Sequence, residues 1–233
     1  MDEVEFDKFA AEYRALHAEN IKLSGEEPEY FAEIKVVDIA TQCRRLGGNA
    51  AAPRAILDFG AGIGYSVPFF VRHLPSAKLT CLDVSRKSLD LGAAKYAHQA
   101  DFKYFDGSLI PFEAECFDVV MASCVFHHIP SAEHISLLKE IRRVLKRGGM
   151  LFVFEHNPLN PLTRHAVNTC AFDEHAELIR AGLMRRQIID AGYGVTQVRY
   201  QVFFPHALRH LRSLEPALAW LPLGAQYCVT AQK

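Results

Sequence analysis

Several short groups of residues in this chain carry chemistry in their side chains or their backbone. The first is Leu57-Asp58-Phe59-Gly60-Ala61-Gly62-Ile63-Gly64-Tyr65. Glycines ending a strand let the backbone approach a ligand, because no Cβ stands in the way. A helix that follows offers free N–H groups and the positive end of its dipole. The spacing is G-x-G-x-G with an acid, Asp58, just ahead. A dinucleotide fingerprint G-x-G-x-x-G needs glycine at position 65, which is Tyr65. No Gly-Lys-Ser/Thr follows, so a P-loop is excluded. The second group is Asp83, ending the next apolar run, where a carboxylate can accept from both hydroxyls of a ribose. Next come Asp106-Gly107-Ser108 with Ile110-Pro111-Phe112, then Phe117-Asp118-Val119-Val120. After these stand Ala122-Ser123-Cys124-Val125-Phe126-His127-His128-Ile129 and Leu145-Lys146-Arg147-Gly148-Gly149-Met150-Leu151.

One more cluster follows, Glu155-His156-Asn157, with Asn160 and Arg164 soon after. In open α/β sheets ligands lie outside the carboxyl ends of the strands. His156 is therefore a candidate general base, and Glu155, Asn157 and Arg164 are candidate substrate contacts. Arg164 could grip a carboxylate or phosphate through two parallel hydrogen bonds, in a turn stiffened by Pro158 and Pro161. No metal is expected. His206 and His210 stand at i,i+4, but with no third ligand nearby they read as a solvated face.

These groups need elements to position them. Ala55–Phe59, Lys78–Leu82, Phe102–Phe105, Phe117–Ala122 and Met150–Phe154 read as short buried strands. Helical patterns alternate with them: Ser66–His73, a helix capped by Ser85 and running to Ala97, and one capped by Ser131 with Ile135, Leu138, Ile141 and Leu145 on one face. Arg142, Arg143, Lys146 and Arg147 suit the negative end of that helix. Strands alternating with helices imply a parallel sheet covered on both faces. A helix is expected over Glu174–Ala191, and strands over Tyr193–Phe204 and Ala225–Ala231. The last two are joined so closely that they could pair antiparallel. Ahead of the sheet, Phe6, Phe9, Tyr13 and Leu16 form one helical stripe, and a second helical pattern runs from Pro28 to Leu46. The expected organisation is a helical N-terminal cap over 1–50 and one α/β domain over 51–233.

Composition narrows the class. In 233 residues, half are hydrophobic and 23% charged, an ordinary globular balance. A net charge of −1 leaves no basic field for nucleic acid. The 6 cysteines include no C-x-x-C, which excludes zinc ribbons and thioredoxin-like pairs. No apolar run approaches about 18 residues, so no membrane span is expected. The start shows no secretory signal, and a cytoplasmic location is the expectation.

Taken in order, the glycine loop with its acid, the acid ending the second strand, Asp-Gly with Ile-Pro-Phe, Phe-Asp-Val-Val and Leu-Lys-Arg-Gly-Gly resemble the class I S-adenosylmethionine-dependent methyltransferases. The resemblance is dense over about 54–156. Two positions depart from the usual pattern: Ala61 where cysteine is common, and the large Tyr65. The resemblance implies a seven-stranded, mostly parallel sheet with helices on both faces and its last strand antiparallel. It implies S-adenosylmethionine as cofactor and a small-molecule methyl acceptor. Asp58, Gly60 and Gly62 would frame the methionine moiety, and Asp83, with Val84 beside it, would hold the ribose. Asp106, Gly107 and Ser108 would take the adenine, while Ser123 and His128 would line the methionine side. The N-terminal helix with Tyr13 would roof the site. The alternatives are a nicotinamide-dependent oxidoreductase, opposed by Tyr65 and by the lack of a Tyr-x-x-x-Lys pair, and a protein that holds the cofactor without turnover.

Overall fold

The structure is a computed structural model that describes residues 13–46, 52–170, 173, 176–194 and 196–233. Phe6 and Phe9 of the expected N-terminal stripe lie outside these residues, and so does the Tyr13 side chain. The elements follow in chain order. Helices α1 (Tyr13–Asn20) and α2 (Pro28–Leu46) precede β1 (Ala55–Phe59), α3 (Val67–His73), β2 (Lys78–Asp83), α4 (Arg86–Tyr96), β3 (Ala100–Tyr104) and β4 (Phe117–Ser123). Then come α5 (His134–Val144), β5 (Leu145–His156), α6 (Pro161–Asn168), α7 (Ala181–Asp190), β6 (Thr196–Gln201), α8 (Glu215–Leu218) and β7 (Gln226–Gln232).

The strands make one 7-stranded sheet in the order β3-β2-β1-β4-β5-β7-β6. Neighbours pair parallel from β3 to β5, and β7 runs antiparallel to both β5 and β6. This is the expected fold. Successive side chains on a strand face opposite sides, and the core divides accordingly. Leu57, Phe59, Val120, Leu151 and Val153 join α5 and α7 residues such as Leu138, Ile141, Met184 and Ile188 on one face. Ile56, Val119, Met121, Phe152 and Phe154 join Val36, Ile39 and Cys43 of α2 and Phe70 of α3 on the other. Helix α2 therefore covers the sheet as part of the same core. Among the described residues no helix is long and apolar enough to cross a membrane.

Local capping decides where the elements begin. Ser85 caps α4, its hydroxyl accepting from the Ser88 N–H at 3.0 Å. Ser131 does not cap α5: Ser131–Glu133 is a 3-10 turn, and the Ser131 hydroxyl instead accepts from Gln187 Nε2. The helix stops at Val144, so Lys146 and Arg147 fall at the start of β5 rather than in its last turn. The helix expected from Glu174 is shorter, beginning at Ala181 after an irregular stretch over 176–180. Strand β6 ends at Gln201 because Val202 turns left-handed at φ 62°, and the Glu215 carboxylate accepts the N–H groups of Val202, Phe203 and Phe204.

Asp118 is the main polar tie inside the sheet. Its Oδ2 accepts the N–H groups of Arg54 and Ala55 at 2.9 Å each, and its Oδ1 receives Lys146 Nζ at 2.8 Å. Burial alone would raise this carboxyl, but Lys146 and the two amides hold it below the usual range. A depressed carboxyl contributes stability above its unfolded pKa and loses it as pH falls through the folded value. Asp118→Ala should thus cost about 1–3 kcal/mol at neutral pH. In urea unfolding the deficit should shrink below about pH 4, and an equal deficit at pH 7 and in acid would mean the charge contributes nothing.

Candidate functional site

A cavity of about 220 Å³ opens at the carboxyl ends of β1, β2, β4 and β5. The strand order reverses between β1 and β4, and such a switch point leaves a crevice because the flanking connections go to opposite faces of the sheet.

The glycine loop forms one wall. Gly60 sits at φ 73°, and a Cβ there would lie 2.4 Å from Val125 Cγ2, so no other residue fits without displacing Val125. Gly62 is also left-handed, at φ 54°. Its N–H donates to Asp83 Oδ2 at 2.7 Å, while Asp83 Oδ1 accepts from the Ser85 N–H at 2.9 Å. The acid ending β2 thereby clamps the loop after β1. Asp58 is buried and accepts from the Ser66 hydroxyl. Burial pushes its carboxyl up to about 7, with Asp83 adding to the rise and Ser66 and Lys35 opposing it.

The opposite wall is the 3-10 turn Phe126–His128 that follows β4. Glu155 is 1% exposed and stands behind it at the end of β5. Glu155 Oε1 accepts the N–H groups of Val125 and Phe126 at 3.1 and 2.8 Å, and Oε2 lies 2.5 Å from His127 Nδ1. Burial alone would lift this carboxyl, yet His127 and the amide of Phe126 hold it below the usual range. His127 is buried, which alone would lower its imidazole; Glu155 and Asp173 hold it well above the usual value. His128 is pushed below its usual value by burial, with Asp173 opposing. Beneath the turn, His134 Nε2 lies 3.0 and 2.8 Å from the carbonyl oxygens of Phe126 and Ile129.

At the junction of the walls stands Cys124, in a left-handed conformation at φ 57°. Lys35 reaches in from α2, itself only 6% exposed, and donates to Ser123 Oγ at 2.7 Å and towards Cys124 Sγ at 3.5 Å. Burial alone would raise the Cys124 thiol, but Lys35 and the hydrogen-bonded His156 bring it down to about 6. His156 is in turn held above its usual value by Cys124, against the effect of burial. Lys35 and His156 thus both favour the thiolate form of Cys124.

The structure brings together Asp58, Gly60, Gly62, Asp83, Val84, Ser123, His128 and His156, all of which line the cavity. It does not bring Asp106, Gly107 or Ser108 into the lining: they form an exposed turn beyond β3, in which Asp106 Oδ1 accepts the Ser108 and Leu109 N–H groups. Nor does it bring in the expected acceptor contacts. Glu155 lies behind the wall. Asn157 donates to the carbonyls of Pro222 and Gly224, and its Oδ1 accepts from Leu159 N–H, so it ties the turn after β5 to the approach of β7. Arg164 is exposed on α6, one turn from the residues Ala166 and Val167 that do reach the cavity. The sequence reading missed Lys35, Cys124 and Asp173. A lysine at i,i+4 spacing between Phe31 and Ile39 interrupts an apolar stripe, and that interruption was a legible sign of a buried cation. Asp173 carried no comparable sign.

The chain is similar to known methyltransferases. Residues 57–153 match the family described as "Methyltransferase domain". The demethylmenaquinone methyltransferase of Thermotoga maritima is 32% identical over 108 residues, 46% of this chain and 46% of that one. A ubiquinone/menaquinone biosynthesis C-methyltransferase of Cereibacter sphaeroides is 31% identical over 131 residues, 52% of each chain. This chain thus spans about half the length of the curated relatives it matches. Among solved structures, a SAM-dependent methyltransferase from Thermotoga maritima superposes with a TM-score of 0.68 at 18% identity, covering 99% of both chains. Another, from Archaeoglobus fulgidus, gives 0.66 at 13% identity over 95% of this chain and 100% of that one. They share its fold.

The low thiol value of Cys124 is testable directly. Iodoacetamide at pH 7 should modify Cys124 ahead of Cys43, Cys81 and Cys228, whose thiols burial pushes upward. At about pH 5, below the thiol's value, Lys35→Met should slow that modification several-fold to about tenfold for a rise of one unit of thiol pKa. Peptide mass mapping over time reads the order; an unchanged rate would remove Lys35 from the account.

Proposed function

We propose that this chain, which carries a class I S-adenosylmethionine-dependent methyltransferase domain, transfers the methyl group of that cofactor to a small molecule with an apolar body and a polar reacting end. The observation that carries the reading is the clamp at the switch point, where Asp83 fixes the Gly60–Gly62 loop while lining the cavity itself. In this reading the Asp83 carboxylate accepts from the ribose, Val84 packs beside the nucleoside, and Gly60 and Gly62 let the methionine part lie against the backbone. Asp58 and Ser123 face that part. Asp106, Gly107 and Ser108, in the turn beyond Asp83, serve the adenine end, to which Asp83 is joined through the Phe105 N–H bond to its carbonyl.

The donor sulfonium supplies the activated methyl group. The chain's own work is to hold the acceptor in line, exclude water and remove a proton where the acceptor carries one. Phe31, Ile63, Tyr65, Met121 and Val167 give the cavity an apolar lining that suits a hydrophobic acceptor body. This agrees with the quinone-type names of the relatives. We assign the acceptor's proton to Cys124 and the hydrogen-bonded His156: Lys35 and His156 favour the thiolate, which would accept it.

Calorimetry with S-adenosylhomocysteine tests the donor site. Asp83→Ala should weaken binding at least about tenfold, since losing a hydrogen bond to a charged group costs about 1.5–3 kcal/mol. The cofactor product, and not NAD, should raise the melting temperature. Unchanged affinity in Asp83→Ala, or stabilisation by NAD alone, would refute the assignment. Cys124→Ser should keep product affinity within about twofold and slow single-turnover transfer by about 10²-fold or more.

A further inference from the structure

We propose that His127, His128 and Asp173 form a binding site for one divalent cation of the zinc class in the cavity wall. Their ligating atoms all lie within 4.8 Å of one another. Asp173 Oδ1 is 3.6 Å from His127 Nε2 and 3.3 Å from His128 Nε2. A tetrahedral ion with bonds of about 2.0–2.1 Å to nitrogen and oxygen keeps its ligand atoms roughly 3.3–3.4 Å apart. These two spacings match two edges of such a site to within a few tenths of an ångström.

The surroundings fit the same ion. His127 is fixed through its other nitrogen, Nδ1, by the buried Glu155 carboxylate at 2.5 Å. A carboxylate behind an imidazole aims the far nitrogen, fixes its tautomer and raises its basicity towards a metal. Glu155 is itself pinned by the N–H groups of Val125 and Phe126, so the support reaches back to the sheet. His134 holds the same turn from below. Two imidazoles and one carboxylate make a nitrogen–oxygen donor set that suits zinc, cobalt or a neighbouring first-row ion; magnesium and calcium take oxygen donors. All three residues line the cavity, from which a fourth ligand could complete the coordination. Three protein ligands with one open position is the pattern of a site that takes a further ligand. Among the described residues no other group of histidines, cysteines and acids converges in this way.

The site rests on the side-chain geometry and not on the donor reading, and the tests separate the two. The chain, stripped with a chelator and dialysed, is titrated with zinc by calorimetry and with cobalt by visible absorption. One ion per chain is expected, with the intense cobalt bands of a low-symmetry four-coordinate site. His128→Ala and Asp173→Asn should each weaken zinc at least tenfold, while His210→Ala leaves it unchanged. Asp173→Asn keeps the side chain's shape, so loss of binding in a variant that melts like the parent reports the ligand and not the fold. Absence of stoichiometric binding by the unaltered chain would overturn the proposal, as would zinc affinity retained in both ligand variants or lost in His210→Ala. S-adenosylhomocysteine binding by the unaltered chain, measured without metal, decides the donor reading separately.

Discussion

The arrangement of the site depends on one buried carboxylate. Glu155 sits at the end of β5, out of water, and an ion in that position persists only when its oxygens are satisfied. Its partners are the two N–H groups at the start of the turn after β4 and the Nδ1 of His127. Removing one member of such a buried set typically costs about 3–5 kcal/mol, because it strands the others. The turn therefore has little choice of conformation. Its position relative to β5 is set by an electrostatic requirement, and this requirement places His127 and His128 in the cavity wall. The left-handed residue Cys124 belongs to the same constraint: the chain must reverse sharply after β4 to bring Val125 and Phe126 over Glu155, and Cys124 takes that strain.

The sheet supplies the complementary constraint. Parallel strands expose their carboxyl ends at one edge, so acids and small polar residues that terminate β1, β2, β4 and β5 converge although they are far apart in sequence. Alternation along β1 sends Ile56 to the α2 and α3 face and Leu57 and Phe59 to the other. Asp58 falls on the α2 side, where Lys35 also enters. A lysine on a helix face otherwise made of Phe31, Ile39 and Cys43 is buried because the helix must cover the sheet. Its ammonium then finds Ser123 and Cys124 as partners at the strand end. Packing fixes the helix, and the helix fixes the charge.

These two constraints explain what the sequence disclosed. The sheet, the glycine loop and Asp83 were legible because their signals are local: apolar runs of strand length, glycines where the backbone must turn left-handed, and an acid ending a strand. The error at Ser131 has the opposite origin. A serine ahead of an apolar helix is a sound capping signal, but Gln187 on α7 competes for its hydroxyl and the helix begins later. Asn157 looked like a substrate contact because it is polar at the mouth of the sheet; the approach of β7 supplies carbonyls that its amide satisfies. Asp173 gave no signal because its meaning lies entirely in its distance from two histidines on another element. Local patterns report elements, while side chains shared between elements become readable only when the packing is known.

The charge in the cavity follows from the same packing. Asp58, Asp83, Glu155 and Asp173 are gathered within or behind its walls, Glu155 and Asp173 facing His127, and Asp58 with Asp83 facing the side where Lys35 enters. Burial raises the cost of ionising Asp58, the neighbouring Asp83 adds to it, and this carboxyl is pushed up to about 7. Its proton is thus the adjustable part of the site. A cation entering near Asp58 favours the ionised carboxyl, so binding and proton release are linked with the same free energy in both directions. A sulfonium donor brings that charge and its product lacks it. In the proposed reaction, methyl transfer would turn a ligand that suits an ionised Asp58 into one that suits a protonated one.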